Sequence, residues 1–145
     1  MMNFHYLVRG LYYTDDHVLL AHCIGAANTF LPGGHIRQGE KAPDCLAREL
    51  KEEFKVELVE VGRFIGAVEH KWNEAGTQNF EINLVFQIQL LGIVPPEPPI
   101  SRENHLEFLW VRPNELMKHN LEPYPLIDYI LKHSDDDRAF WASTL

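Results

Sequence analysis

GHIRQGEKAPDCLARELKEEFKV, residues 34–56, is the stretch that decides how this chain is read. Pro43 suits a first helical turn and Asp44 favours the helix dipole, so the spacing predicts a helix from Pro43 to about Lys55. With Leu46 taken as zero and about 100° per residue, Leu50, Phe54 and Ala47 fall near 40°, 80° and 100° and form the expected buried stripe. Glu52, Glu49 and Glu53 fall near 240°, 300° and 340°, a continuous acidic arc beside it. Neighbours at these spacings have Cβ atoms roughly 5–6 Å apart, so the three carboxylates repel one another. Such a face suits Mg²⁺, with Mn²⁺ as the substitute, because hard cations take carboxylate oxygens and keep several waters. Ahead of the helix, Pro32-Gly33-Gly34 makes a turn at which backbone carbonyls approach a metal or phosphate without a Cβ in the way. Glu40 lies in the intervening loop. Arg48 can pair with it, or with Glu52 one turn along the helix.

Working outward, Phe4 to Tyr13 reads as a strand, Thr14-Asp15-Asp16 as a turn and His17 to His22 as the returning strand of a hairpin. Asn28 to Leu31 is a short strand halted by the Pro-Gly-Gly turn. Val56 to Trp72 reads as one or two strands with Gly62 and Gly66 at bends or bulges. Asn73 to Gln78 is expected to be a polar loop. Phe80 to Leu90 alternates, placing Phe80, Ile82, Leu84, Phe86, Ile88 and Leu90 on the core face and Glu81, Asn83, Val85, Gln87 and Gln89 on the other. The prolines between Pro95 and Pro99 form a stiff, extended connection. Glu107 to Val111 is a strand, and Pro113–Asn120 and Pro125–His133 are expected to be short helices. Asp135-Asp136-Asp137 reads as a solvated turn. Strands before and after a central helix, with helices at the end, give a mixed α/β (α+β) class and one domain over residues 1–145.

The chain has 145 residues, 46% apolar and 23% charged, with 13 Lys+Arg against 21 Asp+Glu and a formal net charge of -8. That balance argues against nucleic acid and anionic membrane as partners. An acidic protein still handles phosphates when a divalent cation stands between the charges. The two cysteines, Cys23 and Cys45, have no metal-type spacing and suit a reducing compartment, so a cytoplasmic location is expected. The opening residues, MMNFHYLVRG, lack a 7–15-residue apolar stretch, so no secretory signal is expected, and no apolar run is long enough to predict a membrane span. No serine–histidine–aspartate or cysteine–histidine order suggests a covalent intermediate, and no GxxxxGK[ST] loop is present.

Gly34, five residues, Glu40, seven residues, then Arg48-Glu49-Leu50-x-Glu52-Glu53-x-x-Val56 resembles the signature of the Nudix (MutT-like) hydrolase family. Meeting its charged and first-glycine positions by chance has a probability below about 10⁻³. Lys55 departs from the pattern, which has glycine there. If the glycine there ends the helix in a left-handed conformation, lysine costs on the order of 1 kcal/mol or shifts the helix end by a residue. Lys41-Ala42 also lacks the capping hydroxyl common in the family.

The resemblance implies a Nudix-like mixed sheet sandwiched between helices. It further implies a Mg²⁺-dependent pyrophosphohydrolase that cleaves the diphosphate linkage of a nucleoside diphosphate joined to another moiety. The alternative is a catalytically silent nucleotide-binding or regulatory module of the same fold. Carried over by position, Glu49, Glu52 and Glu53 are metal ligands, the Gly34 carbonyl is a further one, and Glu40 and Arg48 are an orienting pair. The general base is Glu49 or, as second choice, Glu103, which lies where some relatives carry an additional metal-binding glutamate. Glu81 is the rival for that place. Substrate-binding candidates are Arg37, Gly33, Gly34, Trp72 and Glu81, with Tyr12, Phe30 and Phe80 as further stacking surfaces. A homodimer accords with the resemblance, although no interface is legible in the sequence.

Overall fold

The computed structural model describes residues 2–145, and the chain closes around a strand pairing that spans most of its length. Strand β1 (Met2–Leu11) lies parallel to β6 (Thr77–Leu90), with Met2 opposite Gln78 and Leu11 opposite Gln87. Three residues of β4 (Gly33–His35) pair antiparallel with β1 on its other side. Strand β5 (Val59–Glu74) is antiparallel to β6, and β8 (Phe140–Ser143) runs parallel to β5, giving the order β4-β1-β6-β5-β8. A second sheet of three strands contains β2 (Tyr13–Thr14), β3 (His17–Cys23) and β7 (Leu106–Val111). Helices α1 (Ala42–Glu53) and α2 (Pro125–His133) complete the mixed α+β domain.

Alternate residues of β3 show how the layers stack. Val18 and Leu20 pack into one core with Leu126, Ile127 and Ile130 of α2; Leu19 and Ala21 pack into another with Leu46 and Leu50 of α1. Because successive strand side chains point to opposite faces, the sheets lie between the two helices, as expected. They form two sheets rather than one.

Several local expectations need correction. The hairpin at Asp15-Asp16 is only two pairs long, Tyr13 with Val18 and Thr14 with His17, because the chain leaves β1 at Tyr12 and changes sheet. Residues 28–31 make isolated bridges, not a strand, whereas Gly33 and Gly34 themselves join β4. The polar loop expected over 73–78 shrinks to Ala75-Gly76, whose φ values of 49° and 81° close a two-residue hairpin that follows the sheet's twist. Turns at Leu91-Gly92 and Pro95-Pro96 interrupt the segment expected to be an extended connection. Past Pro113–Glu115, a single 3-10 turn, the segment to Asn120 is not helical. The bulges expected near Gly62 and Gly66 are present as register shifts between Val61, Phe64 and Gly66.

Strand β6 departs from its pattern in a way that matters below. Asn83 and Val85, assigned to the open face, are 1% and 0% exposed, and Asn79, just ahead of the expected strand, is 4% exposed. Phe80, Ile82, Leu84 and Phe86, assigned to the core face, are only half-buried. The even face is sealed at its far end, where Ile88 and Leu90 join the α1 core, while the odd face is packed at its centre. Among the described residues no helix is long and apolar enough to cross a membrane.

Candidate active site

Helix α1 starts from Lys41 without a side-chain cap, with Pro43 in its first turn, and ends at Phe54, whose extended φ of -149° carries the chain straight out. Lys55 therefore avoids the left-handed region, and the strain expected there is absent. Cys45, Leu46, Leu50 and Phe54 are fully buried; Ala47, placed in the stripe by the sequence reading, is only partly so.

The acidic arc divides by depth. Glu53 is 6% exposed, and its Oε2 has no hydrogen-bond partner. Burial, reinforced by the carboxylates of Glu49, Glu103 and Glu52, pushes its carboxyl up to about 8 against the pull of Arg9. Burial also raises the Glu49 carboxyl, opposed by Arg48. Glu52 is half-exposed.

Arg48 engages both partners weighed for it. Its Nε and Nη2 donate to Glu40 Oε2 and Oε1 at 2.8 and 3.0 Å, and Nη1 donates to Glu49 and Glu52 at 3.2 Å each. The two-pronged bond holds the Glu40 carboxyl down at about 2. Glu40 also accepts the Arg37 backbone N–H, whereas the Arg37 side chain is exposed.

Gly34 lies against this arc. A Cβ there would sit 2.5 Å from the Glu49 carboxyl carbon, so the Glu49 side chain fills the space a side chain would need. At Gly33 a Cβ would meet the Val8 carbonyl at 2.0 Å, with φ at +149°, so that glycine serves the β1–β4 approach. On the other side, Phe54 bridges Ser101 and the Arg102 N–H donates to the Glu53 carbonyl at 2.7 Å. This ties Glu103 to the C-terminus of α1, where its charge acts on Glu49 and Glu53.

A second group occupies the odd face of β1 and β6. Glu81 accepts from Trp72 Nε1 at 2.9 Å and from Asn83 Nδ2 at 2.6 Å. His5 bonds His35 and Asn79, each at 3.0 Å, and its ring stacks 6.2 Å from that of Trp72. Arg9 links this group to the helix. Its Nη1 donates to the Leu31 carbonyl, its guanidinium lies 4.9 Å from the centre of the Phe30 ring, and its charge acts on Glu81, Glu53 and Glu49. Burial lowers its pKa from the usual arginine value.

Sequence reasoning missed Arg9, Asn79 and Asn83. A single arginine inside the apolar run Leu7-Val8-Arg9-Gly10-Leu11 was the available signal. Two stacking candidates point elsewhere: Tyr12 is buried with its hydroxyl on the Ile93 carbonyl, and Phe80 lies on the opposite sheet face. Cys45 is inert, its thiol pushed up to about 12 by burial. A cavity of about 780 Å³ between β2, β5 and the end of β6 contains none of the α1 carboxylates. Among the described residues no three acidic, histidine or cysteine side chains converge on a common point, because Glu49 and Glu52 turn onto Arg48.

Comparison with known proteins agrees with this architecture. The family model for the NUDIX domain matches residues 5–130. No curated protein sequence matches the chain. Among solved structures, the Escherichia coli ORF135 protein is similar at a TM-score of 0.67 and 21% identity, over 94% of this chain and 95% of that one. The MutT protein of Bacillus halodurans is similar at 0.66 and 17%, over 96% and 88%. An ADP-ribose pyrophosphatase of Streptococcus suis is similar at 0.60 and 17%, over 96% and 98%. At such identities these likenesses concern the fold.

Proposed function

The chain belongs to the Nudix family, and on that premise we propose that it is a Mg²⁺-dependent hydrolase cleaving the diphosphate linkage of a nucleoside diphosphate joined to another group. The observation that carries the reading is Glu53: a buried carboxylate with one oxygen unpartnered, beside Glu49 and the side-chain-free backbone of Gly34. A carboxyl so placed is costly unless a cation or proton joins it.

The donor set fits Mg²⁺ or Mn²⁺: Glu49, Glu52 and Glu53, the Gly34 carbonyl, and Glu103 from the tethered loop, all oxygen ligands. Bound there, the dication would neutralise phosphate oxygens and lower the pKa of a bound water. The chain's own residues supply the rest. Arg48 holds Glu40 and, through it, the Arg37 backbone, fixing the loop that faces the substrate. Glu49 is the first choice for the base that takes the proton of the attacking water, and Glu103 the second; both lie near Glu53. Arg9 places a positive charge between the helix and Glu81 and suits a phosphate oxygen, while Trp72 and His5 offer flat surfaces to a base or sugar. Because Glu81 is already bonded through both oxygens, it fits substrate positioning better than metal binding.

The test is a panel of nucleoside triphosphates, ADP-ribose, dinucleoside polyphosphates and nucleotide sugars, assayed with Mg²⁺. Turnover of at least one is expected, abolished by EDTA and by Glu53→Gln. Metal binding without turnover of any would overturn the reading.

A further inference from the structure

Two histidines outside the acidic arc meet ring to ring. His5 on β1 and His35 on β4 lie diagonally across the pairing that sets Leu7 opposite His35. His5 Nδ1 is 3.0 Å from His35 Nε2, and the ring centres are 5.2 Å apart. The surrounding bonds fix which nitrogen of His5 carries the proton. Asn79, buried in the sheet, donates through Nδ2 to the Thr77 carbonyl at 3.3 Å, so its Oδ1 is the atom that faces His5. His5 Nε2–H donates to that oxygen at 3.0 Å, which leaves Nδ1 as a bare lone pair. Trp72 lies against the same ring, its plane 19° from that of His5, and limits how far the ring turns. His35 is exposed, so its own ring can turn to present a lone pair beside that of His5.

We propose that His5 and His35 together bind a late first-row dication, copper(II) most tightly and nickel(II) or zinc(II) less so, at a site separate from the carboxylates of α1. The first argument is span. At metal–nitrogen bonds of about 2.0–2.1 Å, two imidazoles on one ion keep their nitrogens about 2.8–3.4 Å apart, from a square to a tetrahedral arrangement. The observed 3.0 Å lies inside that range. The second is the outer partner. A histidine that binds a metal donates its other ring N–H to a fixed acceptor, which sets the tautomer, and Asn79 already does this for His5. The third is charge. Glu81 stands opposite His5 in the β1–β6 register and sets a carboxylate against the charge of Arg9, which also reaches His35. Imidazole nitrogen suits copper, nickel and zinc, and divalent affinities generally peak at copper. Mg²⁺ prefers oxygen, so it does not compete for this pair.

An ion held there clips β4 to β1 one residue beyond Gly34. Its remaining positions go to water, because among the described residues no third histidine, cysteine or carboxylate side chain converges with the pair. The site depends on no step of the proposed hydrolysis.

Calorimetric titration of the full chain with Cu²⁺ tests this, in a non-chelating buffer with millimolar Mg²⁺ present to occupy the α1 carboxylates, and independently of any activity. Binding of one Cu²⁺ per chain is expected, with an electron paramagnetic resonance spectrum split by two nitrogens. His5→Gln and His35→Gln should each weaken binding by about tenfold or more, since losing a ligand costs at least as much as losing its outer partner. Both should retain the wild-type circular dichroism, and the exposed position of His35 makes its variant the safer of the two. His133→Gln, at an exposed histidine ending α2, should leave binding intact. Copper binding that survives either substitution in the pair, that Mg²⁺ abolishes, or whose spectrum shows fewer than two nitrogens would overturn the proposal.

Discussion

Replacing Glu53 by glutamine should stabilise the protein at high pH and destabilise it at low pH when metal is absent. In the folded state the carboxyl titrates at about 8 rather than 4.5. An acid whose folded-state value is raised keeps its proton longer when folded, so stability is full below about 4.5 and falls as pH climbs toward 8. At about 1.4 kcal/mol per tenfold change in proton affinity, the rise amounts to on the order of 4–5 kcal/mol by pH 9. Glutamine removes the charge at nearly constant volume but leaves a buried amide short of partners, at about 1–3 kcal/mol. The variant should therefore be less stable than wild type near pH 5 and more stable, by about 1–4 kcal/mol, near pH 9. Urea unfolding followed by tryptophan fluorescence in EDTA, from pH 5 to 9, measures both curves. A shallower slope should persist in the variant because the Glu49 carboxyl is also raised. Adding Mg²⁺ at pH 8 should recover about 2–3 kcal/mol in wild type at a hundredfold excess over the dissociation constant, and little in the variant. Equal pH slopes in the two proteins would refute the reasoning.

Three further outcomes follow from the same geometry. Gly34→Ala pushes only against the flexible end of Glu49 and should lower turnover at least tenfold with the melting temperature shifted by no more than about 4 °C, whereas Gly33→Ala drives a Cβ into the Val8 carbonyl and should cost about 3–5 kcal/mol in urea unfolding. Arg48→Ala releases Glu40 and removes the charge shared by Glu49 and Glu52; kcat should fall at least tenfold, with the Glu40 carboxyl moving up toward its ordinary range by NMR titration. Lys55→Gly, which restores the family residue, should destabilise by about 0.5–1 kcal/mol instead of stabilising, because the position is not left-handed; thermal unfolding decides between the signs.

Helix α1 was legible because its signals are local: an apolar stripe, a proline in the first turn and acids at fixed spacing. The capping defect at Lys41 was readable for the same reason. What the sequence hid is nonlocal. Nothing in Met2–Leu11 announces that it pairs in parallel with a strand more than seventy residues away. That register decides that Arg9, Asn79 and Asn83 share one face while Phe4 and Phe80 share the other. Alternation in β6 identifies the strand, and it names the sealed side correctly only at Ile88 and Leu90, not at Asn83 and Val85, since the cover comes from elements far along the chain. The turn at Ala75-Gly76 was overestimated because polar residues on both sides of it lengthen β5 and β6 instead of leaving the sheet.

The pairing of β1 with β6 also bears on how the protein is made. The Met2–Gln78 pair cannot form until Gln78 has been synthesised, and at ribosomal speeds of about 5–20 residues per second the first strand waits roughly 4–15 s for its neighbour. During that interval Phe4, Tyr6 and Leu7 emerge with no sheet to join. The nascent chain is therefore exposed to aggregation along β1 until β6 arrives, and slowing translation before β6 should lower soluble yield even though it leaves the finished fold unchanged.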